Sequence, residues 1–264
     1  FIGIQLLNKI IIFIAFILMT WDCFAQKIGV VMSGGGASGI THIGVLKALE
    51  ENEIPIDYIS GTSIGALVGA FYASGYSPEE MEIIFTSNEF KDWASGVLDN
   101  DYSYHLRKKE VDASMVTFKL SLDTVWEANL PTSIVSSEAI NFGLMSYLSS
   151  SISAADENFD NLFIPFRCVA SDVISKKEVV FDSGKLALAV RASMSYPLYL
   201  KPVAYNNMLL FDGGLYNNFP SDVMYNEFSP DYIIGSNVSY NFDVPDEDNI
   251  VSQFKAIVAV QTDY

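Results

Sequence analysis

Residues Gly61-Thr62-Ser63-Ile64-Gly65 constrain the fold of this chain more than any other stretch. They read G-x-S-x-G. An apolar run, Ile56-Asp57-Tyr58-Ile59, leads in, and a small-residue helical stretch, Ala66 to Ser74, leads out. The pattern predicts a strand, a sharp turn and a helix, with the serine hydroxyl exposed at the turn. Gly61 and Gly65 suit it because so tight a turn has no room for side chains on either flank. The helix start beneath the serine favours negative charge developing there. Taken alone, the motif reads first as a turn that caps a helix, since Gly and Ser are common residues.

A second segment has the same architecture. Lys27 to Ser33 (KIGVVMS) is a short β-branched run that predicts a buried strand. Gly34-Gly35-Gly36-Ala37-Ser38-Gly39 follows at once. Thr41 to Glu51 then places Ile43, Leu46 and Leu49 at helical spacing. A glycine loop between strand and helix turns several backbone N–H groups into one concavity, which binds an anion. Three anions fit such a loop in general. A dinucleotide expects an acidic residue at the end of the second strand, whereas Asp57 stands at its start. A P-loop expects Gly-Lys-Ser/Thr, whereas Ile40 and Thr41 follow Gly39. The oxyanion of a tetrahedral intermediate remains.

The third segment is Asp212-Gly213-Gly214, after the apolar run Met208 to Phe211. Asp-Gly between apolar runs is ordinarily a hairpin turn. The same aspartate can also accept a proton from a serine within hydrogen-bond reach. Histidine is the usual acceptor, but the chain has only His42 and His105. His42 falls in the first turn of a helix, where packing or capping is expected. His105 sits in a polar stretch, where a solvated side chain is expected. No histidine follows His105, so a Ser–acid–His order after Ser63 is disfavoured.

Predicted strands near 27–33, 56–60, 163–171, 177–182, 208–211 and 231–238 alternate with predicted helices near 41–52, 64–74, 78–87, 136–149, 185–195 and 220–227. This alternation predicts an α/β domain, a three-layer α/β/α sandwich with a largely parallel central sheet. The stretch 91–135 reads as irregular, either a substrate-side insertion or a surface excursion. Cys168, in an apolar run, is expected to be buried and inert. The absence of zinc or calcium spacing predicts no metal, and no cofactor is expected.

A net charge of −17 and a pI near 4.3 argue against nucleic-acid binding and against simple attraction to anionic lipid surfaces. Contact with a membrane surface would have to use apolar or aromatic patches. Lys9 precedes an apolar run, Ile10 to Met19, and Ala25 precedes Gln26. Residues 1–25 therefore read as a secretory signal peptide cleaved after Ala25, which predicts a secreted or cell-envelope location. Residues 26–264 form one domain of sufficient length for a single α/β core. The helical pattern Ile250 to Tyr264 carries no terminating signal and reads as cut within a domain.

The order of the glycine loop (Gly34–Gly39), the G-x-S-x-G serine (Gly61–Gly65) and the D-G-G aspartate (Asp212–Gly214) resembles the patatin-like phospholipase family, in its secreted bacterial form. Arg191-Ala192-Ser193-Met194-Ser195-Tyr196-Pro197 is similar to that family's helix end before the last catalytic strand. The resemblance spans roughly Lys27 to Ser239. It implies a lipid or other acyl ester as substrate and a Ser63–Asp212 dyad, with no intervening imidazole. It also implies an oxyanion hole of main-chain amides from Gly34, Gly35, Gly36 and Ala37. Gly39, Gly61, Gly65, Gly213 and Gly214 are its motif glycines. Secreted bacterial members often continue into an outer-membrane barrel. One position departs: the family usually has Arg or Lys where this chain has Ser38. A non-catalytic protein binding lipid or nucleotide through the glycine loop is the alternative.

Overall fold

The structure, a computed structural model, describes residues 26–97, 133–239, 244–249, 252, 253 and 256. The expected signal peptide, His105, most of the 91–135 stretch and most of the terminal helical pattern lie outside these residues. The first half of the chain forms β1 (Ile28–Met32), a 3₁₀ turn (Gly36–Thr41), α1 (His42–Glu51), β2 (Tyr58–Thr62), α2 (Ile64–Ala73), α3 (Pro78–Thr86) and α4 (Asn88–Ser95). The second half forms α5 (Glu138–Ala154), β3 (Phe166–Asp172), β4 (Lys177–Phe181), α6 (Leu186–Ser193), β5 (Val203–Tyr205), β6 (Met208–Asp212), a short 3₁₀ turn (Gly213–Leu215), α7 (Ser221–Phe228) and β7 (Tyr232–Ser236).

The seven strands form one mixed sheet. Strands β7, β1, β2 and β3 are parallel neighbours. This half follows from strand–helix alternation, because a parallel strand needs a crossover to return. Strands β4 and β6 both pair antiparallel with β3, and β5 pairs antiparallel with β6. The "largely parallel" expectation thus holds for four strands, while a short hairpin and the β5–β6 meander supply the antiparallel half.

The registers on β3 have a geometric consequence. Strand β4 occupies one edge of β3 from Cys168 to Asp172. A strand has only two edges, so both β2 and β6 lie along the other. Strand β2 ends with Thr62 opposite Val169, and β6 ends with Asp212 opposite Ala170. The two strands run toward each other and meet tip to tip at consecutive residues of β3.

Period-two alternation distributes the strand side chains over both sheet faces. On one face Tyr58 stacks on Phe228 at 4.5 Å, Ser60 Oγ donates to Pro220 O at 3.0 Å, and Thr62 Oγ1 donates to Asn217 O at 2.8 Å. Arg167 extends this face, with its guanidinium 4.6 Å from the Phe228 ring and bound to Glu227 and Asp160. On the opposite face, Ile59 and Phe166 pack against Gly69 of α2. Every residue of α2 is buried. A helix that is apolar all round belongs inside, and α2 fills the space between the sheet and α1, α3, α5 and α6. Ser77 and Glu80 form a reciprocal capping box at the start of α3, behind Pro78. Helix α4 ends at Gly96 in the left-handed conformation, φ 74°.

Candidate active site

The G-x-S-x-G turn carries Ser63 from β2 into α2. Its two glycines are needed for close approach. A Cβ on Gly61 would lie 2.5 Å from Gly65 O, and one on Gly65 would lie 2.4 Å from Met32 O and 2.6 Å from Ser33 O. The strained residue is the serine itself, at φ 55° and ψ −122°. Such a backbone costs on the order of 1–3 kcal/mol and persists only where its surroundings enforce it. Gly65→Ala is therefore expected to push α2 away from β1. The clash, about 3 kcal/mol or more, outweighs the gain of up to about 1 kcal/mol in helix propensity. Urea unfolding should show a lower midpoint for the variant than for the wild type.

The tip-to-tip meeting of β2 and β6 brings Ser63 and Asp212 together across 149 positions of sequence. Ser63 Oγ donates to Asp212 Oδ2 at 2.6 Å. Asp212 Oδ1 accepts from Gly214 N at 2.8 Å, and the aspartate's own amide donates to Ser195 O at 3.0 Å. Gly213 must lack a side chain here, since a Cβ would lie 2.2 Å from Val169 O. The carboxyl is buried. Burial pushes its pKa up to about 6, against the lowering effect of the bonds from Ser63 and Gly214. A carboxylate of ordinary pKa, about 3.9, is a weak base for a serine; one near 6 is a better acceptor that is still ionised at neutral pH.

Facing the dyad is the glycine loop. Gly36 takes φ 59°, a left-handed conformation open to glycine. Gly34 differs from the expectation. Its N–H donates to Asn218 O at 3.0 Å, so it offers no donor to an oxyanion. Gly35, Gly36 and Ala37 line the cavity beside Ser63 at the start of the 3₁₀ turn, where main-chain amides have no intrahelical partner. Gly39 packs against Ile64, the residue after the serine, where a Cβ would clash at 2.0 Å with its side chain. Ser38, in place of a basic residue, donates to Gly35 O at 2.7 Å and Val238 O at 3.3 Å. It ties the loop to the segment after β7 without adding charge.

The cavity above the dyad measures about 530 Å³. Ile40, Phe90, Trp93, Ile140, Met194 and Leu200 give it apolar walls. Trp93 lies flat enough against α5 that Gly143 cannot carry a Cβ, which would sit 2.3 Å from the indole. The wall contributed by α4 falls partly in a stretch expected to be irregular. The signals for that helix were Ser87, which caps it, and Gly96, which ends it. Asn218 also reaches the site, with its Oδ1 in the space that Gly34 and Gly214 leave open. No sequence motif announced it.

His42 is far from free. Its Nε2 lies 3.0 Å from Ser33 O, which only accepts, so that nitrogen carries the proton. Its Nδ1 then accepts from Ser236 Oγ at 2.6 Å. Burial lowers its pKa, opposed by the bond to Ser33, and the neutral ring pins α1 to β1 and β7. Asp57 is bound to Lys27 Nζ at 2.6 Å and Ile28 N at 2.9 Å, at the end of the sheet opposite the glycine loop, where a dinucleotide ribose would not reach it. Cys168 is fully buried and its thiol is pushed up to about 12 by burial, which suits an inert core residue. Among the described residues no group of three or more His, Cys, Asp or Glu could hold a metal ion.

Comparison with known proteins adds to this geometry. The family model described as "Patatin-like phospholipase" matches residues 30–225. Patatin-like phospholipase domain-containing protein 6 of Mus musculus is 34% identical over 201 residues, which cover 75% of this chain and 12% of that protein. Lysophospholipase NTE1 of Eremothecium gossypii is 31% identical, covering 74% and 11%. Neuropathy target esterase sws of Drosophila melanogaster is 31% identical, covering 76% and 12%. All three are eukaryotic proteins, and this chain spans about an eighth of their length. The crystal structure of VipD from Legionella pneumophila superposes with a TM-score of 0.45 at 13% identity, covering 73% of this chain and 46% of that one. The family match extends from the strand before the glycine loop, through the serine turn and the aspartate, into α7: this chain belongs to the patatin-like phospholipase family.

Proposed function

We propose that this domain is a serine acyl hydrolase that cleaves acyl esters of phospholipids or related lipids through the Ser63–Asp212 dyad and an acyl-enzyme. The 2.6 Å bond from Ser63 Oγ to a buried carboxylate carries this reading. Ser63 Oγ attacks the ester carbonyl and passes its proton to Asp212 Oδ2. The amides of Gly35, Gly36 and Ala37 stabilise the oxyanion; one such donor typically contributes about 2.7–4 kcal/mol to barrier lowering. Collapse of the intermediate breaks the ester C–O bond, and the leaving alcohol takes the proton from Asp212. Water then gives a proton to Asp212 and attacks the acyl carbon, and Ser63 recovers its proton as the acid departs.

The cavity supports the choice of substrate. Its apolar walls suit an acyl chain, and its size falls in the range of small-molecule sites, roughly 300–1,000 Å³. The names of the relatives, a phospholipase-domain protein, a lysophospholipase and an esterase, point to the same chemistry.

A fluorophosphonate probe tests the proposal. It should label the protein at one residue, mapped by mass spectrometry to Ser63, and block release of fatty acid from a panel of lysophospholipids, phospholipids and acylglycerols. A protein that binds these lipids with neither labelling nor acid release would be a binding module instead.

A further inference from the structure

The proposed chemistry leaves unused a cluster of polar side chains at the end of α6. Ser193, fully buried, accepts the N–H of Ser63 at 2.8 Å and donates its own proton to Val169 O at 2.5 Å. A carbonyl only accepts, so the hydroxyl proton is committed there and the oxygen lone pairs are left for the Ser63 amide. Two residues on, Ser195 O accepts the amide of Asp212 at 3.0 Å. Ser195 Oγ is held in turn by Arg191 Nη1 at 2.6 Å, and Arg191 Nη2 reaches Ser137 Oγ at 2.6 Å and Lys201 O at 2.7 Å. One helix end thus grips the main chain of both dyad residues.

We propose that Ser193 is a positioning residue for the nucleophile: its hydroxyl holds the Ser63 amide and so keeps that residue at φ 55°, with Oγ aimed at Asp212. The inference rests on Ser63 and Asp212 being the reacting pair. Three features support it. The Ser63 backbone conformation is one that side-chain-bearing residues rarely adopt, so something must hold it. The Ser193 hydroxyl oxygen accepts the hydrogen bond from that amide. It also ties the serine turn to Val169, the residue of β3 that pairs with Thr62, beside the point where β2 and β6 meet. Ser193 does not line the cavity, so it acts through Ser63 and not on the substrate.

The test compares Ser193→Ala with Ser60→Ala. Ser60 is an equally buried serine of β2 whose Oγ donates to Pro220 O, on the sheet face away from α2. Both variants lose a buried hydrogen bond to a carbonyl, so both should melt at lower temperature. Only Ser193→Ala should lower kcat and the rate of fluorophosphonate labelling together, by about 100-fold, with KM changed by about twofold or less. That split is expected because aim matters at the attack and not in binding. If Ser193→Ala keeps kcat within about threefold of wild type, or if Ser60→Ala loses as much, the proposal is overturned. Failure of the wild-type protein to label at Ser63 is a separate result and removes the dyad itself.

Discussion

Ser63→Ala is expected to bring ester hydrolysis down to background, a loss on the order of 10⁴–10⁶-fold in kcat, and to abolish fluorophosphonate labelling. The size of the effect follows from the arrangement. Among the described residues nothing else beside Asp212 in the cavity is a nucleophile of comparable placement: Cys168 is buried with its thiol pushed up to about 12, and His42 is committed on both ring nitrogens. The variant should stay folded, because alanine occupies the same turn and α2 keeps its packing. It also leaves Asp212 Oδ2 without the donor that lowers its pKa, so the buried carboxyl should hold its proton to higher pH than in the wild-type protein. Circular dichroism, lipid-panel turnover and probe labelling measure the fold and the two losses, and an infrared titration of the carboxyl measures the fourth outcome. Turnover that survives the substitution would remove Ser63 from the mechanism.

Asp212→Asn should cost about 10²–10⁴-fold in kcat, the usual worth of a general base, while making the protein more stable at neutral pH. The sign follows from linkage. In the folded protein the carboxyl has a pKa of about 6, above its unfolded value near 3.9. Folding therefore favours the protonated form. Its contribution to stability is fully present below about pH 4 and is lost as pH rises through about 6. Above that, the buried charge costs on the order of 3 kcal/mol, at about 1.4 kcal/mol per unit of pKa. Asparagine removes this cost and can still accept from Gly214 N while its amide faces Ser63 Oγ. Unfolding curves at pH 4 and pH 8 should show the variant gaining on the wild type only at the higher pH. The same ionisation governs rate. In the wild-type protein kcat/KM should rise with pH to a plateau above about 6, because only the carboxylate can take the serine proton. A flat profile between pH 5 and 8, or an asparagine variant of full activity, would exclude Asp212 as the base.

Several parts of the site were readable because local covalent chemistry dictates them. Gly61 and Gly65 belong to a motif whose backbone crossing leaves no room for a Cβ, and the structure puts carbonyl oxygens about 2.5 Å from those absent atoms. The strand–helix units around Gly34–Gly39 and Ser63 were legible from β-branched runs and from apolar residues at helical spacing. The apolar pattern does not predict helix α4, although Ser87 and Gly96 mark its ends, since its few apolar residues, Phe90 and Trp93 among them, make a short stripe in a polar stretch. Strand β5, three residues long, is too short for a period-two pattern. Gly34 looked like its neighbours in the loop. Only the approach of Asn218 O diverts its N–H from the cavity.

Local sequence dictates two strand–turn–helix units, a serine that must stand at a sharp bend and an Asp-Gly turn at the end of a strand. These are outcomes of backbone sterics within a few residues. That β6 shares an edge of β3 with β2, so that the serine and the aspartate meet, comes from the packed sheet. Strand pairing depends on long-range registers that no local pattern encodes. The same holds for Ser193 and Ser195, ordinary helix-end serines until the sheet brings Ser63 and Asp212 against them, and for a carboxyl whose basicity comes from the burial that the finished fold imposes.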